Sequence, residues 1–311
     1  MKKIFVSIAT ILLACGAAFA QDLSEATETA KLALETFESG NKDEALTLFN
    51  QALELATACG EAGNDIVQQC KQAIPTVMLS IAKEAYNDKK FEGAAALFEE
   101  TVAIAEKYEM YDVADEAIGL IPRALLGHAN TLLNDKNYLG AIEAYTKVIE
   151  KDPENANAVL RLGMAYTGAG NVEEAISSLL RAKDMGKEKE AVKLLTQIYT
   201  KQSAAALKGK KYADAINTAL KIVEINPENA QAYQIAGQAS QLAGKISDAM
   251  EYFEKYLEIA PNAKNAGQIA YTLGALYQNA KNKAKAIEFY QMAVNDPTYG
   301  TQALELLKSL K

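Results

Sequence analysis

PENAQAYQIAGQASQLAGKISDAMEYFEKYLEIAP, residues 227–261, decides the fold. Between prolines 34 positions apart (261 − 227), Ala232, Tyr233, Ala236, Gly237 and Ser240 recur at helical spacing, and the polar break Ala243-Gly244-Lys245 ends that run. Ser247 is placed to cap a second helix, in which Ala249, Met250, Phe253, Tyr256, Leu257 and Ala260 form one apolar stripe. The unit reads as a helical hairpin. Small residues at Ala236, Gly237 and Ala249 let two helix backbones approach, while Phe253 and Tyr256 fill the space beside them. A hairpin this short cannot bury its own apolar face, so it requires neighbours of the same kind.

The rest of the chain supplies them. An alanine opening each second helix, with an apolar or aromatic residue four positions later, occurs at Ala45 with Phe49, Ala94 with Phe98, Ala141 with Tyr145, Ala175 with Leu179, Ala215 with Ala219, Ala249 with Phe253 and Ala286 with Tyr290. These seven copies are separated by 49, 47, 34, 40, 34 and 37 residues. The first two intervals are long because the helices extend, Ala52 to Ala56 running on toward Cys59 and Val102 to Tyr108 toward Tyr111. Ile74-Pro75 and Ile121-Pro122 each fall early in a following helix, where a proline ring begins or kinks it. Asp184 to Lys189 enlarges one later repeat, and Thr301 to Leu310 forms an amphipathic helix whose Ala303, Leu304, Leu306, Leu307 and Leu310 are expected to cover the last repeat.

Leu273-Gly274 with Tyr277, followed by Ala286, Tyr290 and Pro297, and Leu162-Gly163 with Tyr166, followed by Ala175 and Ala182, resemble tetratricopeptide repeats (TPRs). The resemblance runs from Leu23 to Leu310, departing from the family in its missing tryptophan, its enlarged early repeats and Lys283 in place of an aromatic or aliphatic residue. It implies an all-α, TPR-type α-solenoid of about seven helical hairpins plus a C-terminal capping helix. The expected organisation is a leader over residues 1–20, extended hairpins over 21–150, more regular repeats over 151–297, and the cap over 298–311.

The leader is read from Lys2 and Lys3, an apolar run from Ile4 to Ala14, and Ala18-Phe19-Ala20 before Gln21, together the pattern of a cleaved secretory signal. That run is too short to span a bilayer, which takes about 20 residues, and no later stretch approaches that length, so no transmembrane segment is expected. Leu12-Leu13-Ala14-Cys15 offers a competing reading, a lipidation site that would anchor the chain at Cys15. With 32 basic and 40 acidic residues the net charge is −8, and cleavage would make it −10 (30 − 40). Bulk charge gives no attraction to nucleic acid. An exported chain matures where disulfides persist, and Cys59 and Cys70 stand symmetrically about the polar loop Gly60 to Asp65, so a bridge between them is expected.

Catalytic sets are missing. His128 is the only histidine, which excludes a HExxH helix and leaves a His-based triad without support; its expected role is packing or surface. Cys59, Cys70 and His128 fall short of the four ligands of a structural zinc site, so no metal and no cofactor are expected. Gly168-Ala169-Gly170-Asn171 and Gly209-Lys210-Lys211 read as helix turns, since neither has the strand and glycine spacing of a phosphate loop.

One arrangement stands out. Gln231, Gln234, Gln238 and Gln241 share a sector of a single first helix, the sector that lines the concave groove in the TPR family. Amides offer donors and an acceptor to the backbone of an extended peptide, although a solvated helix face would look the same. Gln268, Tyr271 and Gln278 continue the sector in the seventh repeat, Arg161, Gln197 and Lys201 occupy comparable positions upstream, and Arg123 and Asn130 do so in the third. Leu126 and Thr200 stand where a basic carboxylate clamp would need polar groups, so chaperone-tail binding is not expected. The expected function is an exported scaffold that binds a polypeptide in its groove, in a cell-envelope complex. The alternatives are a membrane-tethered assembly lipoprotein and, more remotely, a carbohydrate-binding or hydrolytic protein.

Overall fold

The computed structural model describes residues 19–310, with side chains from Asp22. The expected leader and Cys15 therefore lie outside the described residues, except that Phe19 and Ala20 begin the first helix. The described chain is helical, with no strand. Contacts divide it into two compact units, unit 1 up to Ala158 and unit 2 from Val159.

Unit 1 contains α1 (Phe19–Glu38), α2 (Lys42–Ala58), α3 (Asn64–Asn87), α4 (Phe91–Lys107), α5 (Tyr111–Asn134) and α6 (Tyr138–Lys151), with a short 3₁₀ turn over Gly60–Gly63. The division falls within α7 (Ala156–Ala169). Unit 2 continues through α8 (Val172–Asp184), α9 (Glu188–Lys208), α10 (Tyr212–Ile225), α11 (Ala230–Leu242), α12 (Ile246–Ile259), α13 (Ala266–Asn279), α14 (Lys283–Ala293) and α15 (Gly300–Leu310). Seven hairpins and a final helix make this an all-α, TPR-type α-solenoid.

Each hairpin closes by a knob seated in a small-residue socket. Gly237 faces Phe253 and Gly274 faces Tyr290, and a methyl group added at either glycine would stand 2.6 Å from the ring. Gly163 faces Leu179 in the same way. The same spacing of sixteen (253 − 237) relates Ala33 to Phe49, Ala82 to Phe98, Ala129 to Tyr145 and Ser203 to Ala219, and every member of these pairs is buried. The predicted second-helix alanines, from Ala45 to Ala286, are all fully buried. Backbone approach at these sites excludes water from both helix faces, and close packing of the knobs supplies the dispersion contacts.

Helix starts follow local chemistry. Asn137, Asn155, Asn229 and Asn282 each accept a hydrogen bond from the backbone N–H three residues ahead, at 2.9 to 3.2 Å, satisfying donors that helix geometry leaves unpaired. The predicted Ser247 cap is not made: α12 begins at Ile246 after Lys245, with no side-chain cap. Pro75 and Pro122 also depart from expectation. Each is the twelfth residue of a 24-residue helix, so α3 and α5 continue through the proline instead of starting there. The alanine-rich sockets and the second turn of packing that these long helices gain hold them together across the lost N–H bond.

At the end of unit 2, α15 buries Ala303 and Leu307, with Leu306 and Leu310 partly covered, against the core that also holds Leu273, Phe289 and Tyr290. Leu304, counted in the covering face from sequence, is 47% exposed and lies outside it.

Candidate functional site

On α11 the two faces separate cleanly. Ala232, Ile235, Ala236, Gly237, Ala239 and Ser240 are buried, while Gln231 and Gln241 are exposed and Gln234 and Gln238 half-buried on the other side. Socket spacing orders the remaining candidates. Arg123, Gln197, Gln231 and Gln268 each stand six residues before a socket, and all four are exposed. Gln234 and Tyr271 stand three before. Arg161 and Lys201 stand two before, one position beyond that sector; the residues that share the register of Gln234 are Leu160 and Thr200.

Two other candidates have a structural occupation. The Tyr145 hydroxyl donates to Asn130 Oδ1 at 2.7 Å, and the Tyr290 hydroxyl donates to Gln278 Oε1 at 2.7 Å. In both hairpins a buried knob tyrosine reaches across to the first helix, so these amide oxygens brace the hairpin. Tyr256 makes a related bond to Asn265 Oδ1. Burial pushes the Tyr256 and Tyr290 hydroxyls above the usual tyrosine range, which keeps them protonated and donating.

Tyr271 leads to a feature that sequence reasoning missed. It stacks on Tyr299, with centroids 4.9 Å apart and planes at 23°, and tilts against Tyr290 at 5.7 Å. Beside this stack, a cleft of about 410 Å³ opens between Lys264, Asn265 and Gln268 on one side and Asp296 to Tyr299 on the other. Asp296 Oδ1 accepts the backbone N–H groups of Thr298 and Tyr299, each at 2.9 Å, which fixes the wall. Only Gln268 and Tyr271 of this set carried a sequence signal, as continuations of the glutamine sector in the seventh repeat.

Unit 1 also holds an unexpected cleft. About 630 Å³ in volume, it has Ala95, Leu125 and Leu132 in its lining and Glu92, Glu99, Glu143 and Glu150 about its rim, with half-buried His128 and exposed Lys147 and Lys151. The widely spaced acids of α4 and α6 give no sequence motif, which is why the cleft was missed. Among the described residues, no three His, Cys, Asp or Glu side chains are placed to hold a metal ion.

Cys59 and Cys70 are both buried and both free, against the expectation of a bridge. Cys59 ends α2 with its S–H turned back to Leu55 O at 3.3 Å, while Cys70 sits in the core among Ala26, Ala56 and Ile66. The loop's symmetry in sequence is broken by the 3₁₀ turn, and Cys70 is used as a small apolar residue. Burial pushes its thiol up to about 12, so it carries almost no thiolate at neutral pH.

Known proteins were compared with the chain. Against curated sequences, it is 22% identical over 173 residues to tetratricopeptide repeat protein 21A of Mus musculus, covering 55% of this chain and 13% of the relative. It is 22% identical over 189 residues to trafficking protein particle complex subunit 12 of Homo sapiens, covering 59% of this chain and 26% of the relative. The chain thus spans about a quarter or less of the length of these relatives. Among solved structures, MamA is 23% identical with a TM-score of 0.37, covering 59% of this chain and 96% of that one. YrrB, described as a TPR protein with an unusual peptide-binding site, is 22% identical with a TM-score of 0.34, covering 60% and 91%. Two family profiles, both described as tetratricopeptide repeat, match residues 132–198 and 200–264, the region that carries the glutamine-bearing helix α11: these residues are tetratricopeptide repeats.

Proposed function

We propose that this chain is an exported, non-enzymatic scaffold that holds a polypeptide partner, in extended form, along the first-helix face of unit 2 and so organises a cell-envelope complex. The observation that carries the reading is the set of four glutamines on α11. None of their amides has a hydrogen-bond partner among the described residues, while the opposite face of the same helix is fully packed. Unengaged amides on a rigid helix offer paired donors and acceptors to a peptide backbone without demanding charge, and rigidity limits the entropy lost on binding. Gln197 and Gln268 extend the surface in the registers on either side.

The test is capture from an envelope extract with the chain immobilised, repeated with Gln231, Gln234, Gln238 and Gln241 changed to Ala, then calorimetry with the purified partner. Loss of four neutral hydrogen bonds at about 0.5–1.5 kcal/mol each predicts at least a tenfold weakening. Unchanged affinity removes the groove assignment. The motif Leu12-Leu13-Ala14-Cys15 supports a second reading, a lipid-anchored form of the same scaffold. Mass spectrometry of the purified N-terminus separates the two: a chain beginning at Gln21 excludes the anchor, and a diacylated Cys15 establishes it.

A further inference from the structure

In unit 2 each first helix turns into its second through a short loop, and three of these loops are basic. The α9 to α10 turn carries Lys208, Lys210 and Lys211, the α11 to α12 turn Lys245, and the α13 to α14 turn Lys281 and Lys283, all exposed. The helices α9, α11 and α13 run in the same sense, because each is followed by an antiparallel partner that packs against the next, so the three turns line one edge. None of the six lysines joins an ion pair among the described residues. The next carboxylates along the sequence are Asp214 and Asp248, in the first turns of α10 and α12, and Glu288, farther into α14.

A lysine at a helix C-terminus is favoured by the helix dipole, which accounts for about one per turn. It does not account for the contrast with unit 1. There Lys89 and Lys90 stand beside Asp88, with Lys90 paired to it at 3.1 Å, and Lys136 follows Asp135. Lys210 and Lys281 take φ values of 60° and 59°, as Lys89 and Lys136 do at 62° and 60° in unit 1, so a lysine of positive φ is common to both units and only the neighbouring acid differs. On a chain of net charge −8, this edge thus carries six exposed lysines against two exposed acids, Asp214 and Asp248.

The middle turn of that edge is apolar. Leu242 and Ile246 flank Gly244 and are 60% and 39% exposed; Leu242 is the most exposed large apolar side chain among those of unit 2. Two aliphatic side chains ringed by lysines, with no arginine and no exposed aromatic ring among them, suit a bilayer interface better than a nucleic acid. Apolar tips gain by entering the acyl boundary while ammonium groups sit on headgroup phosphates; nucleic acid offers the tips no apolar medium, and base stacking wants rings.

We propose that this edge of unit 2 docks on an anionic lipid surface, with Leu242 and Ile246 entering the interface and the six lysines on the phosphates. The docking does not depend on what the glutamine face binds. Because the chain has no tryptophan, Leu242→Trp gives a single emission that reports this turn alone. Mixed with vesicles of phosphatidylcholine and phosphatidylglycerol, that emission shifts to the blue, is quenched by brominated acyl chains, and returns to its solvent position as salt is raised. Vesicles of phosphatidylcholine alone leave it unmoved. Leu180→Trp, 38% exposed on α8, stays solvent-like in every mixture. Changing Lys210, Lys211 and Lys281 to Gln in the Leu242→Trp chain lowers the vesicle partition coefficient about a hundredfold. Lys189→Gln with Lys193→Gln, elsewhere on α9, leaves it within about twofold. Absence of the blue shift with anionic vesicles, an equal shift at Leu180→Trp, equal losses from the two lysine sets, or displacement of the protein from vesicles by duplex DNA would each overturn the assignment.

Discussion

In unit 1 the first helices α3 and α5 run for 24 residues, through a proline, over a core in which the knobs Phe49, Phe98 and Tyr145 are set among alanine, aliphatic residues and Cys70; in unit 2, α11 and α13 run for 13 and 14 and pack Phe253, Tyr256, Phe289 and Tyr290. The turn side of the hairpin is the same in both. From Ala82 to the end of α3, from Ala129 to the end of α5, from Gly237 to the end of α11 and from Gly274 to the end of α13, five residues follow the socket. Two positions past each of those ends comes a residue of positive φ: Lys89, Lys136, Gly244 and Lys281. All added length lies before the socket. Knob, socket and turn are therefore one local device, and helix length varies without disturbing it, because the contacts that fix the hairpin lie within one turn of the crossing.

The strongest way to break this comparison is to remove a knob from each unit. Phe98 and Phe253 are 0% and 1% exposed. Phe98→Ala and Phe253→Ala should each cost about 3–5 kcal/mol, the range for emptying a buried aromatic site. Hydrogen exchange should show lost protection in α3 to α6 for the first and in α11 to α14 for the second. A knob that costs under about 1 kcal/mol in either unit would show that the device is not shared.

Sockets give the next effect. At Gly237 and Gly274 an alanine would gain about 1 kcal/mol of helix propensity but press on a ring whose position is fixed by its own burial. Overpacking of this kind costs about 1–3 kcal/mol, so net destabilisation of about 1 kcal/mol is expected in urea unfolding. Ser203→Ala is the control. Its partner Ala219 is small and its hydroxyl bonds only to Thr200 O, so it should be close to neutral.

Knob positions were legible in sequence because they follow the second-helix alanines at a fixed spacing and admit few residue types, and the socket was legible at Ala236 and Gly237; the sockets at Ala33, Ala82, Ala129 and Ser203 became evident only from the fold. The roles of Asn130 and Gln278 were not legible. An amide on a first helix looks the same whether it faces a ligand or a tyrosine hydroxyl from the next helix, and only the fold places Tyr145 and Tyr290 at their ends. The cleft beside Tyr299 was illegible for a related reason: Asp296 and Lys264 lie 32 residues apart (296 − 264) and meet through the packing of α13 against α14. Cys59 and Cys70 misled because a symmetric loop in sequence does not fix where the side chains point. The tyrosine braces can be tested in both units. Tyr145→Phe and Tyr290→Phe should each cost about 1 kcal/mol, since each leaves an amide oxygen without its donor, and equal losses would show that the two units share the brace as well as the knob.

Alkaline pH should separate the units by the smallest margin. Cys70 in unit 1 and Lys285 in unit 2 both keep their protons to about 12 in the folded chain, from ordinary values of 9.0 and 10.5. The causes differ. Burial disfavours the Cys70 thiolate, whereas Lys285 donates to Glu254 at 2.5 Å and to the Tyr277 hydroxyl at 3.1 Å. The sign is the same for both: the folded state holds the proton more tightly, so stability is complete below the unfolded value and is lost as pH rises toward the folded one. The windows therefore open in turn, from 9.0 for Cys70 and from 10.5 for Lys285. At pH 9.5 the unfolded Cys70 is largely ionised, which costs unit 1 about 0.8 kcal/mol, while Lys285 contributes no loss. Urea midpoints at pH 7.5 and 9.5 should fall for the native chain and fall less for Cys70→Ala, with Lys285→Met showing the native difference. A Cys59–Cys70 bridge has no thiol to ionise, so an unchanged midpoint in the unreduced native chain, restored to the expected fall by reductant, would bring the bridge back.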